Sequence, residues 1–204
     1  MLKLLFISEF SESFTNKVLK GIVNYSSQRG DWSICRMPSH YKNTVGIEGV
    51  LKWAKGWGTN AVIGTFENKD EVCALKNEGI AVVAQDYKKR FSNVPNLTAD
   101  YLRTGRMAAS YFIDRGFQNF AFFGLNDVCW SDERCEGFRK EVEENGFGRT
   151  FFEYILQDID HFWFYEAQSL SEWLKSLPKP IGIMTCDDNQ GNLLIEACRL
   201  AGIY

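Results

Sequence analysis

Short apolar runs alternate with segments of helical period along the whole chain, and that alternation restricts the fold more than any single residue does. Residues 2–7 form an apolar run suited to a buried strand, after which Val18, Leu19, Ile22, Val23 and Tyr25 follow at helical spacing until Gly30 ends the segment. The pattern repeats as strand over 32–37, helix over 45–53, strand over 61–65, helix over 71–76 and strand over 80–84. Each such step implies parallel strands, because a parallel pair needs a long connection and the right-handed crossover buries its helix on the sheet. The polar stretch 86–95 has no regular period, and the alternation then restarts. A helix runs from an Asp100 cap through Arg115 to Gly116, strands are expected over 120–124, 150–155 and 181–185, and helices over 133–144, 163–177 and 188–200. The expectation is an α/β protein of two open parallel-sheet lobes, residues 1–97 and 98–204.

Composition narrows the classes of function. The 204 residues are 45% apolar and 24% charged, which places them among globular chains able to build a core. Twenty-three Lys and Arg against 26 Asp and Glu give a net charge of -3, which argues against broad attraction to phosphate backbones or anionic membranes. Cysteines at 35, 73, 129, 135, 186 and 198 form no Cys-x-x-Cys pair and have no His neighbour at zinc-ligand spacing, so they read as buried thiols and no metal is expected. The first eight residues carry no basic leader, and no run approaches 18 apolar residues; a reducing cytoplasm and no membrane contact are the expectation.

Open parallel sheets bind ligands beyond the carboxyl ends of their strands. Those positions hold Ser8 and Glu9, Phe66 and Glu67, Gln85 and Asp86, Asn126 and Asp127, and Asp187 and Asp188. Carboxylates, amides and flat rings suit a neutral polyol, whose hydroxyls take charge-assisted hydrogen bonds and whose apolar face stacks on an aromatic ring. The alternative is that Asp and Ser before helices simply cap free N–H groups, which for Asp100 is the stronger reading.

Enzyme motifs fail, and no catalytic residue and no cofactor are expected. There is neither a phosphate-binding Gly-x-x-x-x-Gly-Lys loop nor a Gly-x-Ser-x-Gly elbow. Gly56-Trp57-Gly58-Thr59-Asn60-Ala61 has the spacing of a dinucleotide fingerprint but precedes a strand instead of following one, so it reads as a helix-ending turn. His40 and His161 lie in loop-like segments without an obvious partner, and Asn96-Leu97-Thr98 carries no weight as a glycosylation triplet without a leader.

The run Phe120-Ala121-Phe122-Phe123-Gly124, followed by Trp130-Ser131-Asp132-Glu133-Arg134-Cys135-Glu136-Gly137-Phe138, resembles the lactose-repressor superfamily of sugar-sensing regulators, most nearly the effector domain of AraC-type xylose-operon regulators. Phe14 to Ile22 with Lys20-Gly21, Thr98-Ala99-Asp100 and Gly182-Ile183 through Asp188 support it. The resemblance implies a type I periplasmic-binding-protein-like fold and a monosaccharide effector, xylose or a relative, held between two lobes. It implies that Arg134 holds sugar hydroxyls with its planar fork, the alternative being a surface ion pair. Asp86 matches an acidic ligand residue, and Asp187 stands where the family has Asn or Thr. Glu9 and Asp100 complete the polar candidates; Phe14, Phe66 and Trp130 are candidates for ring stacking or, equally, ordinary core or cap aromatics.

By the same resemblance the chain lacks an AraC-type DNA-binding domain after the sensor and is truncated at its C-terminus, so operator DNA would be reached only through that missing domain and the intact regulator would be a homodimer. Rival readings are a small α/β enzyme using two of Asp86, Asp127 and Asp187 as acid and base, and a transport-type sugar-binding protein. Clusters such as Phe151-Phe152 and Phe162-Trp163-Phe164-Tyr165 read as core, with self-association expected if sheet edges stay open.

Overall fold

The computed structural model describes residues 1–8, 13–157 and 167–203. Glu9, His161 and the cluster 162–165 lie outside the described residues. The chain divides into two compact units, Met1–Thr98 and Ala99–Tyr204.

Unit 1 is built on a five-stranded parallel sheet in the order β2-β1-β3-β4-β5, with β1 Leu2–Ile7, β2 Trp32–Met37, β3 Ala61–Gly64, β4 Ala81–Gln85 and β5 Asn96–Leu97. Leu4, Leu5, Phe6 and Ile7 are all buried, as a central parallel strand with both faces covered requires. The core cluster joins Leu5, Ile7, Val62 and Val82 to Val50 and Ala54 of α2 (Ser39–Trp57) and Val72 and Leu75 of α3 (Lys69–Asn77). Strand order reverses between β1 and β3, the place where doubly wound sheets open a crevice at their carboxyl ends. A Cβ on Gly64 would stand 2.6 Å from the Ile7 carbonyl oxygen, so glycine is what lets these two strand ends approach.

Helix α2 departs from expectation, and the two-residue strand β5 was not foreseen. The helix expected over 45–53 is longer at both ends, Ser39–Trp57, and broken at Gly46 (φ 64°), a conformation that interrupts the helical period read from the sequence. His40 therefore sits in the first turn of α2 and not in a loop. The Gly56-Trp57-Gly58 segment does end that helix, with Gly58 in the left-handed region at φ 74°.

Unit 2 has a three-stranded parallel sheet, β7-β6-β8, with β6 Phe120–Leu125 in the centre, β7 Phe151–Leu156 and β8 Gly182–Thr185. Every residue of β6 is buried. Phe120 and Phe122 point to a core shared with Ala109 of α4 (Tyr101–Ile113) and Phe138 and Val142 of α5 (Cys129–Glu144). Ala121 and Phe123 point the other way, to Leu170 and Leu174 of α6 (Ala167–Ser176) and Leu194 and Ala197 of α7 (Asp188–Ala201). The alternation of neighbours along one strand is the period of two expressed as two separate cores. Helix α5 begins four residues before the expected start, because its cap position holds Val128, which offers no side-chain acceptor to mark the boundary.

All six cysteines are free; Cys135 and Cys186 are buried, and the other four are only half-buried. Among the described residues no helix is long and apolar enough to cross a membrane, and no cluster of three or more His, Cys, Asp or Glu could hold a metal ion.

Candidate functional site

In unit 2 the candidate residues gather where β6 and β8 end. Helices α4 and α5 pack backbone to backbone: a Cβ on Gly105 would fall on the Arg134 carbonyl oxygen, and one on Gly137 on the Leu102 carbonyl oxygen. That closeness brings the Tyr101 ring, at the start of α4, to within 4.9 Å of the Arg134 guanidinium on α5. Trp130, one turn earlier on α5, lies 5.2 Å from the same guanidinium. Planar cation and aromatic faces attract through the ring quadrupole, so the guanidinium is held by its two neighbours as well as by hydrogen bonds. One of its terminal nitrogens donates to the Cys186 carbonyl oxygen at the end of β8, tying α5 to the turn that leads into α7. Its Nε is buried and finds no hydrogen-bond partner among the described residues. A buried donor left unmade costs on the order of 1–3 kcal/mol, so this nitrogen carries an unmet demand for an acceptor.

Asp187 caps α7, accepting from the backbone N–H of Gln190 at 2.9 Å. Burial pushes its carboxyl above the usual range, against the opposing pull of backbone N–H groups and of Arg134. Cys186 beside it is a protonated thiol, pushed up to about 12 chiefly by burial. Burial and the Glu153 carboxylate likewise push the Cys135 thiol up, with Sγ 3.1 Å from Glu153. Neither sulfur is a thiolate nucleophile at neutral pH. Asp127 occupies the turn after β6 with φ 57°, a left-handed conformation that Asp tolerates better than most residues.

In unit 1 the carboxyl end of the sheet carries buried polar atoms that lack partners. Ser8 Oγ after β1, Thr15 Oγ1 in the first turn of α1 (Ser13–Ser26), Gln85 Oε1 at the end of β4 and Asp86 Oδ1 after it find no hydrogen bond among the described residues. The other oxygen of Asp86 pairs with Arg90 at 3.3 Å, and Arg90 in turn donates to Thr98 at 2.8 Å. Lys42, buried at the start of α2, pairs with Glu71 at 3.0 Å, and Lys88 pairs with Glu67 at 3.5 Å.

The sequence candidates thus separate. Trp130, Arg134 and Asp187 come together in unit 2, while Asp86 lies buried in unit 1. Asp100 caps α4, accepting from Arg103 N at 3.0 Å, in keeping with the capping alternative. Phe66 is 1% exposed and edge-on to Phe91, so its ring serves the core, the alternative left open above. Phe14 is 44% exposed on α1. Sequence reasoning missed Tyr101 and Thr15. Tyr101 carries a faint signal in Gly105, a helix-interior glycine that marks close packing on the same helix; Thr15 carries none.

Residues 109–204 match the family described as periplasmic binding protein-like domain. The fold is periplasmic-binding-protein-like. The periplasmic binding protein/LacI transcriptional regulator of Alkaliphilus metalliredigens complexed with D-xylulofuranose superposes with a TM-score of 0.73 at 16% identity, over 98% of this chain and 73% of that one. The Caulobacter myo-inositol binding protein bound to myo-inositol does so with 0.74 at 18%, over 99% and 71%. In sequence the chain is 29% identical to the xylose operon regulatory protein of Haemophilus influenzae over 71% of its length, and 21% identical to that of Escherichia coli K12 over 92%. It spans less than half the length of these curated relatives, 39% and 48%. The matched periplasmic-binding-protein-like chains are transcription regulators and sugar-binding proteins, not enzymes.

Proposed function

We propose that this chain is the effector-sensing part of a bacterial transcription regulator and that its effector is a monosaccharide, xylose or a related pentose. The observation that carries the reading is the Arg134 guanidinium, held by Tyr101, Trp130 and the Cys186 carbonyl yet with a buried Nε still free to donate. A rigid fork with one donor to spare, set beside two rings, is what recognition of a sugar hydroxyl asks of a protein. The sequence match to xylose operon regulatory proteins supports the same reading.

In this reading Asp86 accepts from sugar hydroxyls, and Glu9, Phe14, Asp100 and Asp187 remain candidates beside Arg134 and Trp130. The protein works in the cytoplasm, and operator DNA is contacted by a separate DNA-binding domain in a homodimeric regulator. A ligand can bias such a protein only by binding one conformation better than another, with couplings of about 1–3 kcal/mol being typical. Calorimetric titration with D-xylose, L-arabinose and D-ribose tests the proposal. Saturable heat from a pentose, lost in Arg134→Gln, is the expected result; no heat and no thermal shift from any of the three would sink it.

A further inference from the structure

We infer that the outward face of α4 docks on the same face of a second copy of this chain, the two helices antiparallel about a two-fold axis at Met107. The inference deepens the homodimer part of the proposal above and rests on that part alone. Helix α4 turns Tyr101, Gly105 and Ala109 inward, where they are buried. At about 100° per residue the point farthest from that face is Met107, which is 63% exposed. The capping Asp100, Arg103, Tyr111 and Asp114 lie within about 40° of it on either side, and all are exposed. Neither Met107 nor Tyr111 serves the core of unit 2, which takes Ala108, Ala109, Phe112 and Ile113 from this helix.

The charges on this stripe select its partner. Along the helix they run Asp100, Arg103, Asp114, Arg115, and an antiparallel copy centred on Met107 presents them in reverse. Arg103 then meets the partner's Tyr111 and Asp114, and Asp100 meets the step that carries the partner's Arg115. A parallel copy would instead set Arg103 against Arg103 and Asp100 against Asp100. Unlike charges across an interface fix its orientation and register, and a closed two-fold pair is the commonest assembly. The Tyr111 ring already carries its own Arg115 guanidinium 3.4 Å from the centroid and is still 53% exposed, which leaves ring surface for the partner's Arg103. Met, Tyr and Arg are residues that interfaces favour. The 13-residue helix is about 20 Å long. So short a face buries less than the roughly 1,000 Å² of a stable interface, and the pair alone is expected to dissociate at about 10–100 μM.

Sedimentation equilibrium of the full chain from about 5 to 500 μM is expected to show a monomer–dimer equilibrium. Arg103→Asp sets a carboxylate against the partner's Asp114 and is expected to raise the dissociation constant at least about tenfold; adding Asp114→Arg reverses both charges and is expected to bring it back to within about threefold. A second measurement is independent of these variants. With oxidised glutathione as the oxidant, Met107→Cys is expected to form a disulfide to its own copy, identified by mass spectrometry of the linked peptide. Tyr111→Cys is not, because its two copies stand about 12 Å apart along the helices, beyond disulfide reach. A monomer at every concentration overturns the inference and the homodimer reading together. A dimer that survives Arg103→Asp, that Asp114→Arg fails to restore, or that links through position 111 as readily as through 107 overturns the inference and leaves the homodimer reading standing. The cross-linking comparison decides by itself should Arg103→Asp fail to fold.

Discussion

Asp187 combines two opposed contributions on one side chain. Its oxygen satisfies a free N–H of α7, worth roughly 1 kcal/mol for a helix cap. Its burial raises the carboxyl pKa, so the folded protein holds that proton more tightly than the unfolded chain does. The resulting cost is absent below the unfolded value and fully present above the folded one, and stability contributed by this group therefore rises as pH falls through that window. Asp187→Asn keeps the accepting oxygen without the charge; in urea denaturation it is expected to be no less stable at pH 7 and to show a flatter dependence on pH between 3 and 7. Asp187→Ala loses the cap and is expected to cost about 1 kcal/mol. Arg134→Met, by leaving the Cys186 carbonyl without its donor, is expected to cost roughly 1–3 kcal/mol in the same measurement.

At the scale of elements, glycine decides how α4 meets α5. Since a Cβ at either Gly105 or Gly137 would strike the facing backbone, Gly137→Ala must force the helices apart, at a cost of about 1–3 kcal/mol or more. The same substitution at Gly21, in α1 with nothing within 4 Å, is expected to stabilise by roughly 0.5–1 kcal/mol through helix propensity alone. Thermal melts of the two variants should move in opposite directions; a shift of the same sign in both would contradict the packing account. Seven of the eight described strands were legible in the sequence because each is a compact apolar run, with β6 agreeing to within a residue, whereas the two-residue β5, Asn96–Leu97, was not foreseen. Legibility failed where side chains gave no boundary signal, as with Val128 before α5, and where a backbone break such as Gly46 lies inside a helical stretch. The site was half legible for the same reason. Arg134 and Trp130 share one helix and one motif, whereas Tyr101 reaches them only through a helix contact that no local pattern encodes.

Over the whole molecule, the net charge of -3 conceals a division between the units. Met1–Thr98 carries 13 basic and 9 acidic residues, +4, whereas Ala99–Tyr204 carries 10 and 17, -7. Oppositely charged regions on one chain attract those of its neighbours, and the repulsion that keeps chains apart fades near the isoelectric point of about 5.5. Light scattering is expected to show the greatest self-association near pH 5.5 and less of it when salt screens the attraction. Scattering independent of both pH and salt would refute this electrostatic account and leave exposed apolar edges as the cause.

The burial of all six residues of β6, between two parallel neighbours and two cores, also gives unit 2 a clock. Amide protons on such a strand reach solvent only when the unit opens altogether, so their exchange reports global stability, whereas those at the start of α5 report local opening around Arg134. A sugar that slows exchange at both places has tightened the whole unit; one that slows it only at α5 has done no more than cover its own contact.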